Sequence, residues 1–593
     1  MIHRSRIVGA LLAAILLAVA GRAFSAQPAA NSVLSDAVAF AYAPDLGALF
    51  QRLEANRGAQ AVLSIFESPA LLGDPDIDAF LRAKQELEQE LGFSVSPLFL
   101  GTNVIKSVAF SVAMPKPAAA QSEAAAPAAP QVPTILAALE IKDAERFDAL
   151  LDFFIRKSVE QGGAEPETIE RNNAEISVFG AGGAQPAYAT RLAGQFAFSN
   201  DRAVIEQIID GSGPLLGLPP GADAMAQLSG SPKDLSAYIR FDVLLKALLA
   251  FAGADPETQA AIPAFQLFEG YRAAALSLAA GENEFVFESA LTMDSASTNP
   301  TIRLAQAAPG SIGILGYAPM SAWAVSCANN FDMRAIFDSM KQVAQADPAG
   351  ASEFESGLAM IEQAMGVSFQ NDVFPAFGSE ILLAVNAISP NMLMPQASTI
   401  DLTLGIQLAD AEKARQLMAK VETALQGALG GFAAAPTATE GAQSAPPEEL
   451  FQSQSYKGAE IRYCSLPMAP AFSPGYAIDG GYLLINTTLE NLRAAVDCQR
   501  EAQPSASRHP SLEDLSLRFG HENSNKIALV EIRAIVEKIK ELAMPYLSEA
   551  AVASAESQVA INLLNALSAF DRLAASTRWN GKAVHSVAVV ACE

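Results

Sequence analysis

The sequence predicts an α+β protein made of two copies of one domain, each copy a mainly antiparallel sheet with helices packed on one face. Short similar segments recur in the same order, about 270 residues apart. Within each half, strand-like apolar runs follow helix-like runs in which apolar residues recur every three or four positions. A repeat of this length indicates a duplicated domain rather than a solenoid unit.

The matching segments identify the boundaries of the two predicted copies. They are YAP at 42–44 and 317–319, LG at 91–92 and MG at 365–366, KDAERFDALL at 142–151 and ADAEKARQLM at 409–418, PAYA at 186–189 and PGYA at 474–477, and FVFESALTM at 285–293 and AVHSVAVVA at 583–591. We therefore expect copies at 33–294 and 310–593. The linker at 295–309 contains polar residues, Asn299-Pro300 and Pro309-Gly310, which are typical of a boundary.

The elements follow a βαββα order in each copy. In the first copy Asp74-Pro75 predicts a helix start and Gly92 its end. The predicted elements that follow are strands at 104–112 and 135–141, a helix at 144–159, strands at 176–180 and 188–199, and a helix after Asn200-Asp201. Their counterparts are strands at 377–387 and 400–408, a helix at 411–429, strands at 460–466 and 475–486, and a helix at 488–498. This order suggests a split βαβ sheet.

Each copy is predicted to close with a further strand and a hairpin. The strand lies at 235–241 or 526–532, and the hairpins at 273–292 and 572–590 contain turns with the Gly and Asn that hairpins favour. Two Pro/Ala-rich stretches, 115–133 and 433–447, have no apolar period and are predicted to be exposed loop insertions.

The N-terminus resembles a secretory signal peptide over residues 1–26. Basic residues at His3, Arg4 and Arg6 precede a short apolar run at 7–20 and small residues around the expected cleavage site. No later segment has the length of a transmembrane helix. We therefore expect an exported protein with no membrane span after cleavage, in the periplasm or alternatively outside the cell or associated with the outer membrane.

The charge of the chain disfavours one class of partner. With 64 acidic and 39 basic residues, the chain has a net charge of −25. Nucleic-acid binding depends on clustered Lys and Arg that release counterions from phosphates, and no such cluster is present. We expect no nucleic-acid partner.

All four cysteines lie in the second predicted copy, at Cys327, Cys464, Cys498 and Cys592. An even number in an exported protein permits two disulfides, with three possible connectivities. The expected hairpin geometry favours Cys464 with Cys498 and leaves Cys327 with Cys592. No CxxC pair indicates zinc.

No motif predicts catalysis, a cofactor or a metal. The histidines after the signal region are His509, His521 and His585. His521-Glu522 begins like a zinc-protease helix, but Asn525 stands where the second histidine is required. His585 alternates with apolar residues, which predicts a surface or half-buried strand position. The Met392-Leu393-Met394 segment is a possible apolar contact loop, or a plug packed on the core.

Two segments carry a family resemblance. NDVFPAFGSEILLAV at 371–385 and YAIDGGYLLINTTLENLRAAV at 476–496 are similar to recurring segments of uncharacterised exported bacterial envelope proteins with a duplicated domain of unknown function. The resemblance implies an α+β repeat and an envelope location, and it implies no activity.

The sequence leads to three hypotheses about function. The first is a non-catalytic, exported cell-envelope protein that acts as a binding or scaffold module, with an envelope protein as partner. The second is a periplasmic carrier of an apolar ligand or lipid. The third is a hydrolase with an unrecognised site.

Overall fold

The structure is a computed structural model. It describes residues 34, 37–66, 75–114, 132–180, 186–211, 222–228, 233–252, 268–297, 299–344, 348–390, 398–433, 450–464, 473–551 and 555–592. The signal region, almost all of both predicted insertions and the Met392, Leu393 and Met394 loop lie outside these residues.

The longer helices of the described residues are numbered here in chain order. They are α1 Leu46–Ala55, α2 Arg57–Phe66, α3 Pro75–Leu91, α4 Ala144–Glu160, α5 Arg202–Asp210, α6 Phe241–Ala252, α7 Pro300–Ala305, α8 Met333–Ala344, α9 Pro348–Met365, α10 Ala411–Ala433, α11 Leu489–Gln499, α12 Pro510–Phe519, α13 Ile532–Ala551 and α14 Ala555–Leu567.

The strands form one sheet. In the first half they are β1 Ala37–Ala43, β2 Ile105–Ala113, β3 Thr134–Ile141, β4 Glu167–Arg171, β5 Ala174–Phe179, β6 Ala187–Leu192, β7 Gln195–Ser199, β8 Leu235–Arg240, β9 Tyr271–Ala280 and β10 Glu284–Met293. In the second half they are β11 Ala324–Ala328, β12 Phe377–Pro390, β13 Ser398–Leu408, β14 Phe451–Tyr456, β15 Ala459–Cys464, β16 Gly475–Asp479, β17 Tyr482–Asn486, β18 Lys526–Val530, β19 Phe570–Trp579 and β20 Ala583–Cys592.

The two halves of the sheet have the same strand order. The first half runs β4-β5-β6-β7-β3-β2-β1-β8-β9-β10. The second half runs β14-β15-β16-β17-β13-β12-β11-β18-β19-β20. The two last strands, β10 and β20, pair with each other and join the halves into one 20-stranded sheet. We call this β10–β20 pair the seam.

The seam is centred on equivalent positions. Glu288 and Val587 lie directly opposite each other, and each is the fifth residue of a ten-residue strand. The apolar cores also meet here, because the core of the first half includes Ala583 of β20 and the core of the second half includes Val286 of β10.

The predicted α+β class is confirmed, and several local signals form the expected structure. Asp143 caps α4 by accepting from the Arg146 amide, and Asp410 accepts from the Glu412 amide at the start of α10. Gly92 and Gly366, which follow α3 and α9, both have positive φ, a conformation that suits glycine. Both closing hairpins lie where the sequence places them.

The sheet is antiparallel, as predicted, but the split βαβ arrangement is wrong, because three strands and not one separate β3 from β4, the strands that α4 joins. Four strands were not predicted: β1, β4, β11 and β14. The predicted linker also contains a helix, α7, whose flank is held by Asn525 through hydrogen bonds to the carbonyls of Ala307 and Ala308.

The YAP match does not join equivalent residues. Tyr42 lies in β1, whereas Tyr317 lies in a 3-10 helix before β11. The equivalent residues after these strands are Asp45 and Asp332, which accept hydrogen bonds from the amides of Ala48 and Ala335. A three-residue match is short enough to recur without structural meaning.

Candidate functional site: a cleft at one end of the seam

A cleft of about 1240 Å³ lies beside the Thr292–Ala583 end of the seam. We call this the cleft end. Its walls come from the end of β8, helix α6, the start of β9, the end of β10 and the turn between β19 and β20. The cleft therefore joins both halves of the chain.

Helix α6 forms one wall of the cleft. Strand β8 ends at Arg240 and the helix begins at the next residue, so the strand leads directly into the wall. Leu245 and Leu249 lie one helical turn apart and both line the cleft, with Lys246 beside them. The side of the helix that carries these two leucines therefore faces the cavity.

The turn between β19 and β20 forms the opposite wall. Asn580 accepts hydrogen bonds from the amides of Lys582 and Ala583, and its side-chain amide donates to Gln227 of the first half at 3.0 Å. Gly581 has a φ of 87°, which a residue with a Cβ rarely adopts. These contacts hold Trp579 and Lys582 at the cleft.

Aromatic and apolar side chains line the interior of the cleft. Tyr238, Tyr271, Met293 and Trp579 all contribute to its lining. Tyr238 and Met293 are buried, so the floor of the cleft is continuous with the core of the first half. Such a mixture of aromatic surface and a few polar groups is typical of small-molecule sites.

Four of the charged residues at the cleft are paired with each other. Arg240 donates to both carboxylate oxygens of Asp242, at 3.1 and 2.8 Å, and Arg272 lies 3.3 Å from Asp294. Burial tends to raise the pKa of Asp242, but the hydrogen bonds and charge of Arg240 outweigh it and lower the pKa. These pairs leave little net charge.

Three further charges remain at the cleft. Lys246, Lys582 and Glu269 all line it, and within the described residues none of the three side chains forms an ion pair. Two ammonium groups therefore face one carboxylate. The cleft carries a small excess of positive charge in a strongly acidic chain.

A buried polar network lies next to the cleft end of the seam. His521 Nε2 lies 2.9 Å from His585 Nδ1, and His585 Nε2 lies 3.4 Å from a carboxylate oxygen of Glu288. The other ring nitrogen of His521 shares a hydrogen bond with Ser576. All four side chains are at most 6% exposed. We call these four residues the seam network.

The seam network keeps His521 neutral. Burial, followed by the electrostatic interactions with His585 and Arg578, lowers the pKa of His521 to about 3, although Glu288 raises it. A neutral imidazole hydrogen-bonded to a serine hydroxyl is the pair of groups that serves as general base and nucleophile in many hydrolases. However, neither Ser576 nor His521 lines the cleft. In this arrangement the network joins β10, β19 and β20 and the loop after α12.

The three histidines lie in different surroundings. His585 is 4% exposed, so its prediction as a surface or half-buried residue is wrong. His521 lies in the loop between α12 and β18. His509 accepts from the Ser511 amide at the start of α12, and its other ring nitrogen lies 3.2 Å from Glu531. Among the described residues no group of three metal-binding side chains is present.

The predicted Cys464–Cys498 disulfide is not formed, because all four thiols are free and buried. Cys464 lies where β16 begins, since its amide donates to Pro474. Helix α11 starts at this same end of β16 and finishes beside Asp479, where Arg500 pairs with that carboxylate at 2.6 Å. Cys498 is thus at the far end, ~13 Å away at ~3.3 Å per strand residue, too far for a disulfide.

The predicted Cys327–Cys592 disulfide is also absent. Cys327 lies on β11 and Cys592 on β20, and β18 and β19 separate these strands. Three strand spacings of ~4.8 Å place the two cysteines at least ~14 Å apart.

No residue of the candidate cleft was predicted from the sequence, because its lining comes from segments that are distant along the chain.

A family model described as "Protein of unknown function (DUF3352)" matches residues 107–443. The chain belongs to this DUF3352 family. The match covers more than half of the chain and confirms the resemblance to a domain of unknown function.

Solved structures give a distant similarity. Crystal forms I and III of TP0453 are each 13% identical to this chain, with a TM-score of 0.23, and cover 47% of it. The aligned parts are 83% and 84% of the TP0453 chains. No curated protein matches the chain.

Among the described helices, none has the length and apolarity needed to span a bilayer.

Proposed function

We propose that this DUF3352 protein is a non-catalytic, exported binding protein of the cell envelope and that its ligand occupies the cleft. The observation that carries the proposal is the cleft itself, which joins aromatic and aliphatic walls to two ammonium groups without ion-pair partners among the described residues. Such a site can enclose a small molecule and orient it through charge.

The burial of the seam network favours binding over hydrolysis. A nucleophile must reach its substrate, and Ser576 is 3% exposed. The Ser576 hydroxyl and His521 do not belong to the cleft lining. A hydrolase would need a rearrangement of β10, β19, β20 and the loop after α12 to bring these side chains to a substrate.

The proposal includes an origin by duplication of one domain. The common strand order supports it, as do the equivalent helix caps at Asp143 and Asp410. The seam then represents the surface by which the two copies joined. In this view each half has since changed its own end of the seam.

A second candidate function is a scaffold that binds an envelope protein through the sheet. Phe287, Leu276 and Leu383 lie on the same face of the sheet and are 44%, 44% and 48% exposed. This face continues across the seam through Ala588 and Ala575. Solvated sheet faces are usually polar, so an exposed apolar face favours a contact with a partner.

Native mass spectrometry of the full chain purified from the cell envelope tests the cleft proposal. The spectrum is measured before and after solvent extraction, for the natural sequence, Leu249→Trp and Leu425→Trp. Leu249 lines the cleft, whereas Leu425 is an exposed leucine on α10 and serves as the matched control. We expect an extractable ligand on the natural protein and on L425W, and none on L249W.

An unchanged ligand on L249W, or no extractable ligand on any of the three proteins, would contradict the cleft proposal. The scaffold candidate makes a different prediction. Phe287→Glu should remove a co-purifying envelope protein, while L249W should retain it. Circular dichroism establishes that each variant is folded.

A further inference from the structure

We propose that the ligand of the cleft is an anionic amphiphile, with one apolar tail and a carboxylate or phosphate head. This inference rests on the proposed function, because it assigns the chemical class of the molecule that the cleft binds. It is carried by the arrangement of apolar and charged side chains along the cleft.

The apolar part of the cleft suits a hydrocarbon tail. Leu245 and Leu249 present one face of α6, and Met293 and Tyr238 form the floor below. Trp579 adds aromatic surface from the other half. Burial of a methylene group contributes about 0.8 kcal/mol, so a tail of several carbons would bind usefully in such a space.

The charged part of the cleft suits an anionic head. The guanidinium groups of Arg240 and Arg272 are already paired with Asp242 and Asp294. The ammonium groups of Lys246 and Lys582 form no ion pair within the described residues, although the charge of Lys246 helps to lower the pKa of Asp242. They come from α6 and from the β19–β20 turn. Two lysines that line the same cleft supply positive charge for a carboxylate or phosphate group.

The local charge differs in sign from that of the whole chain. The cleft lining has four basic and three acidic residues, whereas the chain has a net charge of −25. Glu269 offsets one of the two lysine charges, and its side chain is exposed, as are those of Lys246 and Lys582. At physiological salt the field of distant acidic residues is screened within about 8 Å, so the nearby lysines determine which head group is favoured.

Isothermal titration calorimetry of the full chain, after ligand extraction, tests the inference. Four probes are used: inorganic phosphate and three amphiphiles below their micelle concentrations, namely dodecanoate, dodecyl maltoside and dodecyltrimethylammonium. The first three differ in head-group charge at a constant tail length, and phosphate supplies the anion without a tail. We expect dodecanoate to bind more tightly than each of the others.

Paired lysine variants identify the head-group contact. Lys246→Ala with Lys582→Ala should weaken dodecanoate binding by about tenfold and leave dodecyl maltoside unchanged. Lys246→Arg with Lys582→Arg, which keeps both positive charges, should retain dodecanoate binding. Lys413→Ala with Lys526→Ala removes two exposed lysines elsewhere and should have no effect.

The outcomes separate this inference from the proposed function. Equal binding of the three amphiphiles, with no effect of the cleft lysines, would overturn the anionic assignment and keep the cleft as a binding site. Phosphate binding as tight as dodecanoate would overturn the amphiphile in favour of a small anion. Failure of all four probes to bind would contradict the inference, and an empty cleft in the mass spectra would separately contradict the proposed function.

Discussion

The two ends of the seam occupy equivalent places in the two halves, yet they bury different chemistry. At the cleft end, His585 lies opposite Ala290 and belongs to the seam network. The equivalent third residue of β10 is Val286, which lies opposite Val589 at the other end. At that end, which we call the closed end, Gly58 of α2 packs against Cys592 of β20, α14 packs on α2, and buried Asn56 binds the β9–β10 turn.

The difference shows how one strand order can support two roles. At the closed end, the aliphatic pair of Val286 and Val589 joins the two halves, and the buried amide of Asn56 holds the β9–β10 turn of the first half. At the cleft end, the described residues leave a cavity, and a polar network joins the strands beneath it. Apolar contacts are insensitive to pH, whereas a buried histidine makes stability depend on it.

The largest expected effect comes from breaking the closed end. Asn56 is fully buried; it donates to the carbonyls of Gly281 and Glu284 and accepts from the Ala59 amide. Asn56→Ala leaves these groups without partners, and we expect a loss of about 3 kcal/mol in the free energy of unfolding. Chemical denaturation measures it.

The matched control for Asn56 is Asn580→Ala at the cleft end. Asn580 also makes three hydrogen bonds, but its side chain is exposed. Water can replace its bonds, so we expect a loss of about 1 kcal/mol. Equal losses for the two variants would contradict the distinction between a closed end and a cleft end.

The next largest effect concerns pH at the cleft end. The pKa of His521 is lowered from its ordinary value of 6.5 to about 3, so the folded protein keeps His521 neutral. Its stabilising contribution is complete above pH 6.5 and is lost as the pH falls towards 3, because the unfolded chain takes up the proton first.

Between pH 6.5 and 5 we expect the titration of His521 to lower the free energy of unfolding by up to about 2 kcal/mol, at ~1.4 kcal/mol per pH unit. Denaturation curves at several pH values measure this slope. Leucine cannot bind a proton. In His521→Leu the free energy of unfolding should therefore change less steeply with pH, by up to the contribution of one proton. An unchanged slope would show that His521 is not held neutral by its burial.

The smallest effect comes from one methyl group at the closed end. A Cβ on Gly58 would lie 2.7 Å from both Cys592 Sγ and the Phe570 ring. Overpacking costs about 1 to 3 kcal/mol and exceeds the better helix propensity of alanine, so Gly58→Ala should destabilise by about 1 kcal/mol. Gly427→Ala on α10, where a Cβ meets nothing within 4 Å, should stabilise instead. The same sign for both would refute close packing at Gly58.

Local sequence signals predicted many elements of the fold. The caps at Asp143 and Asp410, the glycines that end α3 and α9, and the closing hairpins all depend on residues that are near in sequence. Strand partners depend on residues that are distant in sequence, and so the predicted split βαβ topology was wrong. Strand β4, ETIER, is a charged edge strand without a hydrophobic signal, which explains why it was missed.

The candidate site could not be predicted in the same way. The seam network joins Glu288 to His585 and His521 across the two halves, and no spacing in the sequence indicates these contacts. The glutamate and histidine at alternating buried positions of β10 and β20 were the available signal. Likewise, the direction of α11 decided against the Cys464–Cys498 disulfide, and that direction follows from packing.

Hydrogen exchange of the full chain, with and without saturating dodecanoate, tests most directly the claim that only the cleft end binds a ligand. We predict slower exchange in α6 and in the β19–β20 turn around Gly581, which line the cleft. We predict no change in α2 or in the β9–β10 turn around Gly281 at the closed end. Slower exchange at the closed end, or bound dodecanoate without protection of α6, would contradict the account.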